Sequence, residues 1–187
     1  GQVHYAEGEG EQPLAVKIQY PGIAKTIDSD VSLLRHLLRP VVQSDQLMPT
    51  LDEIADRLRE ETDYLLEARH LRCFADRLDL PGVTIPQLFP HLSARTVLCT
   101  SLMPGKPLDV WLKGKPDRAR KDQVAQTLHD LVINGIYELK VINSDPNPGN
   151  FIIAKNGTIG LVDFGCVKRL DPGFVDQYHR LARSAAH

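Results

Sequence analysis

Cysteine is scarce in this 187-residue chain. There are three, Cys73, Cys99 and Cys166, an odd number without Cys-x-x-Cys spacing. That argues against a disulfide framework or a cysteine-ligated zinc and is compatible with a reducing compartment. No stretch approaches the ~18–20 uninterrupted apolar residues of a membrane span, and no charged segment followed by an apolar run opens the chain. A basic excess is also missing. Lys and Arg number 22 against 24 Asp and Glu, so nothing favours a phosphate backbone, and nucleic acid is not expected as a partner. There is no Gly-x-x-x-x-Gly-Lys-Ser/Thr, which leaves a P-loop NTPase unsupported. The seven histidines (4, 36, 70, 91, 129, 179, 187) are scattered without a His-Glu-x-x-His, and surface or core roles are expected for them. What remains is ordinary for a globular protein: 42% hydrophobic and 25% charged residues, in a length that allows one domain or two small lobes.

The chain starts Gly1-Gln2-Val3-His4, without a methionine, and stops just after a helix-like stretch, so it reads as a fragment of a longer protein. Residues 14–20 alternate Val16, Ile18 and Tyr20 against Ala15, Lys17 and Gln19, a short strand. The Gly- and Glu-rich stretch 7–13 has turn composition and links it to an earlier strand. Ile27, Val31, Leu34 and Leu38 recur at helical steps, a helix that Pro40 stops. A second helix is expected from about Leu51 to Leu71, with Leu51, Ile54, Ala55, Leu58, Thr62 and Leu65 on one face. Val83-Thr84-Ile85 and Thr96–Met103 read as strands, and Lys121–Lys140 as a third long helix. Asn156-Gly157, between Phe151–Ala154 and Thr158–Val162, is a strong hairpin signal. Trp111 is expected to pack at a helix start, and Cys166 to be a small core residue. Strands with two helices, then helix with one hairpin, predict an α+β protein of two unequal lobes.

Three features follow one another in a fixed order: a strand lysine (Lys17), an Asp-x-x-x-x-Asn loop (Asp145, Asn150), and Asp163-Phe164-Gly165 after the hairpin. Singly each is weak, since edge lysines and Asp-Pro turns are common. Together they match the parts of phosphoryl transfer: a cation for the phosphates, two oxygen ligands for Mg²⁺, and a carboxylate near the nucleophile. Mg²⁺ prefers hard oxygens and keeps several waters, so one carboxylate and one amide carbonyl suffice beside the nucleotide's own oxygens. The hairpin brings Asn150 and Asp163 together at its two ends. A lysine in this role also needs an acidic partner. The helix stretch Glu60-Glu61-Thr62-Asp63-Tyr64-Leu65-Leu66-Glu67 offers Glu60, Asp63 and Glu67, the last two about 40° apart on a helical wheel. Glu61 and Asp63 point roughly 200° apart on a straight helix, so both face one site only where the helix starts or bends.

With these residues in view, the sequence resembles the UbiB/ADCK group of atypical protein-kinase-like proteins linked to ubiquinone (coenzyme Q) biosynthesis. The resemblance rests on Gly1–His4, Ala15-Val16-Lys17-Ile18-Gln19-Tyr20-Pro21-Gly22, Glu61-Thr62-Asp63-Tyr64 with Glu67-Ala68, Asn143–Phe151, and Val162-Asp163-Phe164-Gly165. It implies a protein-kinase-like two-lobed fold, truncated at both ends, with an N-lobe over residues 1–103 and a C-lobe over 104–187. It further implies Lys17 as the nucleotide-phosphate lysine with Glu67 as its ion-pair partner, Asp145 as the catalytic aspartate, and Asn150 and Asp163 as Mg²⁺ ligands. Ser101–Met103 fall where a hinge meets adenine through its backbone. Glu61 and Asp63 match a Glu-x-Asp element that restrains protein-kinase activity. Many members carry histidines where Asn143 and Asn147 stand here, and the family's Lys-x-Gly-Gln segment has no counterpart in these residues. The implied cofactors are ATP or ADP with Mg²⁺. The implied activity is ATP hydrolysis or transfer to a small or lipid-like acceptor, with a quinone precursor and a membrane surface as partners. The implied location is the bacterial cytoplasm or the mitochondrion, peripheral to the inner membrane. Two alternatives stand beside it: a nucleotide-binding pseudokinase scaffold without turnover, and an aminoglycoside- or choline-type phosphotransferase, which does not normally carry the Glu-x-Asp-Tyr-x-x-Glu-Ala helix.

Overall fold

The computed structural model describes residues 1–38 and 47–185. They divide into two compact units that interleave along the chain. The first comprises residues 1–69 and 88–101, and the second 70–87 and the chain from Leu102 onward.

In the first unit, β1 (Gln2–Glu7) and β2 (Pro13–Ile18) form an antiparallel hairpin, and β2 pairs on its other edge with β4 (Val97–Ser101). The linker expected at 7–13 is a tight turn, whose Gly8 N–H donates to the Gln12 carbonyl at 2.8 Å. Lys17 lies opposite Val3 on one side and Leu98 on the other, which places it on the central strand. Two helices, α1 (Ile23–Leu38) and α2 (Leu47–Glu61), share a small core of Ile27, Val31 and Ala55. Ion pairs of Arg59 with Asp28 (2.7 Å) and of Arg35 with Asp52 cross between them. Leu34, expected on the buried face of the first helix, is exposed. Pro40, expected to stop that helix, lies outside the described residues.

The single helix expected over 51–71 is two helices. α2 ends at Glu61, and α3 (Tyr64–Arg77) starts afresh after Thr62 and Asp63. Within α2, Leu51 and Ala55 are buried while Ile54 and Leu58 are exposed; the break then resets the helical phase, so α3 buries Tyr64, Glu67, Ala68, Leu71 and Phe74 at its own period and leaves Leu65 exposed. Residues 64–69 of α3 belong to the first unit, where Tyr64 and Ala68 pack with Leu98 of β4 and with Leu88.

In the second unit, β3 (Val83–Thr84), β8 (Ile159–Leu161), β7 (Phe151–Ile153) and β5 (Lys106–Pro107) form one sheet in that order. β7 and β8 are the expected hairpin; Gly157 turns it with φ +88°, and the Asn156 side chain accepts from the Thr158 N–H at 3.1 Å. Trp111, on the short helix α4 (Leu108–Lys113), packs with Leu128 of α5 (Arg118–Asn134) against Val124, Ile153 and Ile159. Asp117 caps α5 by accepting from the Arg120 N–H at 2.8 Å. The expected long helix changes pitch at its end into a π turn, Gly135–Leu139, which Lys140 closes in the left-handed region at φ 58°. A Cβ on Gly135 would lie 2.8 Å from the Val141 carbonyl oxygen, so the following strand can run close beside the turn. That strand, β6 (Val141–Asn143), pairs with β9 (Val167–Arg169), and α6 (Pro172–Ala185) follows.

Candidate functional site

Strand β2 presents Lys17 to helix α3. Its Nζ donates to Oε1 and Oε2 of Glu67, both at 2.9 Å, across fifty positions of sequence. Glu67 is only 2% exposed and the Lys17 side chain 24%. A carboxylate so far from water demands a cation and hydrogen bonds, and the bifurcated ammonium supplies both. Tyr64 lies one helical turn before Glu67, and its ring centroid is 5.2 Å from Nζ, a cation–π contact on the same ammonium. Of the three carboxylates that the residues alone offered to Lys17, the ion pair is made with Glu67. Asp63 serves elsewhere: Oδ1 accepts from the N–H groups of Leu65 and Leu66 at 3.1 and 3.3 Å, capping α3, while Oδ2 lies 3.7 Å from Arg95. The link between α2 and α3 is pinned from both sides. Gln19, the residue after β2, donates to the Thr62 carbonyl at 2.8 Å, and the Tyr64 N–H donates to the Arg95 carbonyl at 3.1 Å. Glu61 is the last residue of α2 and is exposed. The bend that a common orientation of Glu61 and Asp63 requires is therefore present, at Thr62–Asp63.

In the second unit Asp145 and Asn150 touch, and the main chain of Asn150 pairs with the residue that precedes Asp163. The Asn150 amide Nδ2 donates to the Asp145 carbonyl oxygen at 3.2 Å and approaches its Oδ2 at 3.4 Å. The Asn150 main-chain carbonyl accepts from the Val162 N–H at 3.0 Å, next to Asp163 in the chain. Asp163 Oδ1 accepts from the Gly165 N–H at 2.9 Å, fixing the turn of Asp163-Phe164-Gly165. Phe164 is fully buried, with its ring 5.3 Å from that of Phe74, and its carbonyl accepts from Nδ1–H of His70 at 3.0 Å. Asn147 caps the turn at 148–150 by accepting from the Gly149 N–H at 2.9 Å.

The donor set suits Mg²⁺. Because Asn150 commits its NH₂ group to Asp145, its carbonyl oxygen is the atom left for an ion, to which Asp163 could add a carboxylate oxygen. Among the described residues no cluster of three or more His, Cys, Asp or Glu could hold a metal by itself. An ion here would draw its remaining oxygens from water and a phosphate ligand. A cavity of about 390 Å³ in the same unit, bounded by Leu128, Val132, Ile136, Val141 and Phe151, has Asn143 as its one polar side chain, too little to receive phosphate or metal.

Ser101 ends β4 opposite Leu14 and belongs to the first unit, while Met103 belongs to the second. Met103 packs on Gly160, where a Cβ would come 2.7 Å from its methyl carbon. Tyr64, Gly160 and the side-chain bonds of Asn143 were not expected at the site, and His70, expected in a surface or core role, bonds the Phe164 carbonyl. For Tyr64 a signal existed: it precedes Glu67 by three residues, hence shares its helix face.

The description "ABC1 atypical kinase-like domain" matches residues 1–187. The chain is 34% identical to the mitochondrial atypical kinase coq-8 of Caenorhabditis elegans over 99% of its length, and 32% identical to mitochondrial COQ8B of Danio rerio over 100%. It is 31% identical to mitochondrial COQ8 of Saccharomyces cerevisiae over 97%. The chain spans 25%, 30% and 37% of these relatives' own lengths. A structure of Rv3197 from Mycobacterium tuberculosis, solved with erythromycin, matches at a TM-score of 0.79 and 30% identity, covering 92% of this chain and 44% of that one. The α+β fold is therefore kinase-like, and no helix among the described residues is long and apolar enough to cross a membrane. With a match running from the first residue to the last, and both the strand lysine and the Asp-x-x-x-x-Asn loop inside it, this chain belongs to the ABC1 atypical kinase-like family.

Proposed function

We propose that the chain binds ATP or ADP with Mg²⁺ and supports ATP hydrolysis or phosphoryl transfer to a small or lipid-like acceptor. The observation that carries this reading is the junction at Asn150, whose side chain binds Asp145 while its main chain holds the strand that leads into Asp163. Lys17 orients the phosphates, and Glu67 holds Lys17. Asn150 and Asp163 ligate the ion, and Asp145 positions or deprotonates the nucleophile. Ser101 and Met103 meet the base through their main chain, and Glu61 and Asp63 restrain transfer to protein. The lobes of this reading are residues 1–103 and 104–187. The COQ8 relatives, named as mitochondrial atypical kinases, support a role in ubiquinone biosynthesis, and the reading extends to a lipid or quinone-precursor ligand at a membrane surface.

The test is a nucleotide-dependent melting shift with and without Mg²⁺, followed by ATP turnover. Binding to the folded state alone raises apparent stability by about 2.7 kcal/mol at a hundredfold excess over Kd. The expected result is a shift that needs Mg²⁺ and is lost in Asp163→Ala. Turnover that Asp145→Asn abolishes favours the enzyme; binding without turnover under any lipid condition favours a scaffold. A wild-type protein whose melting ignores Mg²⁺-nucleotide would sink both.

A further inference from the structure

Asn143 is the last residue of β6, and both ends of its carboxamide are used. Nδ2 donates to the main-chain carbonyl of Asp163 at 2.9 Å, and Oδ1 accepts from the main-chain N–H of Asp145 at 3.0 Å. The strand pairing sets this up: Asn143 lies opposite Val167 in the β6–β9 ladder, and Ser144 donates both its N–H and its hydroxyl to the Cys166 carbonyl at 2.8 Å. Residues 143–145 are thereby laid beside residues 163–167, although twenty positions separate Asn143 from Asp163.

We propose that Asn143 is a positioning residue that sets the spacing of the Asp145 carboxylate from the Asp163 carboxylate, and so tunes the affinity of the site for a divalent cation. Neither carboxylate is gripped by Asn143 directly; it clamps the main chain that carries each. A side chain in this role must donate on one side and accept on the other within one rigid plane. Among side chains of this length only an amide does both without titrating. Aspartate has the same shape but no donor, so it would keep the bond from the Asp145 N–H and oppose the Asp163 carbonyl. The cation part of the inference rests on the nucleotide–Mg²⁺ reading above; the clamp does not.

Two variants separate the two bonds. Amide hydrogen exchange is followed at Asp145, the donor to Asn143, and at Gly165, whose N–H reports on Asp163. Asn143→Asp should speed exchange at Gly165 roughly tenfold while leaving Asp145 nearly unchanged, and Asn143→Ala should speed both by a similar factor. In Asn143→Asp the Mg²⁺ concentration for half-maximal nucleotide binding should rise roughly tenfold, with metal-free nucleotide affinity unchanged. Should Asn143→Ala fail to fold, the isosteric aspartate variant carries the test. An unchanged Gly165 amide in the folded variants would overturn the clamp. A faster Gly165 amide with unmoved Mg²⁺ dependence would overturn its role in cation affinity. A wild type that binds no nucleotide but shows the expected exchange pattern would remove the functional reading and leave the clamp standing.

Discussion

The two units handle charge in opposite ways. In the first, a lysine and a glutamate are taken out of water together, Glu67 almost completely, and each is held by the charge of the other. In the second, Asp145 is exposed and Asp163 half-buried, and neutral amides (Asn143, Asn150) and main-chain N–H groups hold them in place. A carboxylate left in water needs positioning but little neutralisation, and a hydrogen bond to a neutral donor positions it at small cost. A carboxylate out of water needs a cation, and losing that cation is expensive. The first unit should therefore be brittle toward charge-changing substitutions, and the second tolerant of them in stability though not in activity.

The sharpest way to break this comparison is Lys17→Met. It leaves the Glu67 carboxylate without its ammonium and should cost about 3 kcal/mol, read from the denaturant midpoint. Glu67→Gln should cost less, about 1–2 kcal/mol, because the Lys17 side chain is part-exposed and can turn its ammonium to water. Equal costs would mean that burial of the carboxylate is not the deciding term.

The second unit has its own brittle point, which is steric. Gly105 has φ +146°, and a Cβ there would meet the Ile153 carbonyl oxygen at 2.4 Å. Gly105→Ala should cost roughly 2–3 kcal/mol, through backbone strain and displacement of β7. By contrast, Asp145→Asn and Asp163→Asn should move the melting free energy by only about 0.5 kcal/mol or less while abolishing Mg²⁺-dependent turnover. A loss of several kcal/mol in either would erase the contrast between the units.

The smallest effect concerns Cys99, buried in β4, where desolvation pushes the thiol up from its usual range. The unfolded chain then ionises first, near pH ~8.5. The contribution of this thiol to stability is intact below that pH and is lost as pH rises through the folded-state value. Cys99→Val should flatten the alkaline limb of stability against pH, and iodoacetamide should spare Cys99 in the folded protein while modifying the less buried Cys73 and Cys166.

What could be read without coordinates was local. The 151–161 hairpin follows from Asn-Gly between apolar runs, and the junction at Asn150 from its spacing to Asp145 and Asp163. The α2–α3 break was harder to read. Leu51 to Leu65 keeps an apolar period through it, and no proline or glycine marks it. What bends the chain is Gln19 and Arg95 bonding its main chain from distant positions, with Asp63 capping the new helix. The dual grip of Asn143 was hidden for the same reason, since one of its partners is Asp163.

The order of residues alone therefore determined the chemistry that the chain can offer: a strand lysine, an acidic helix, and hard oxygen ligands at the ends of one hairpin. Tertiary structure decided which carboxylate meets the lysine, that Tyr64 lies against the same ammonium, and where the acidic helix begins. The division has a physical basis. Turns and hairpins are closed by bonds between near neighbours, whereas a buried charge finds its partner only when strands and helices far apart in the chain pack together.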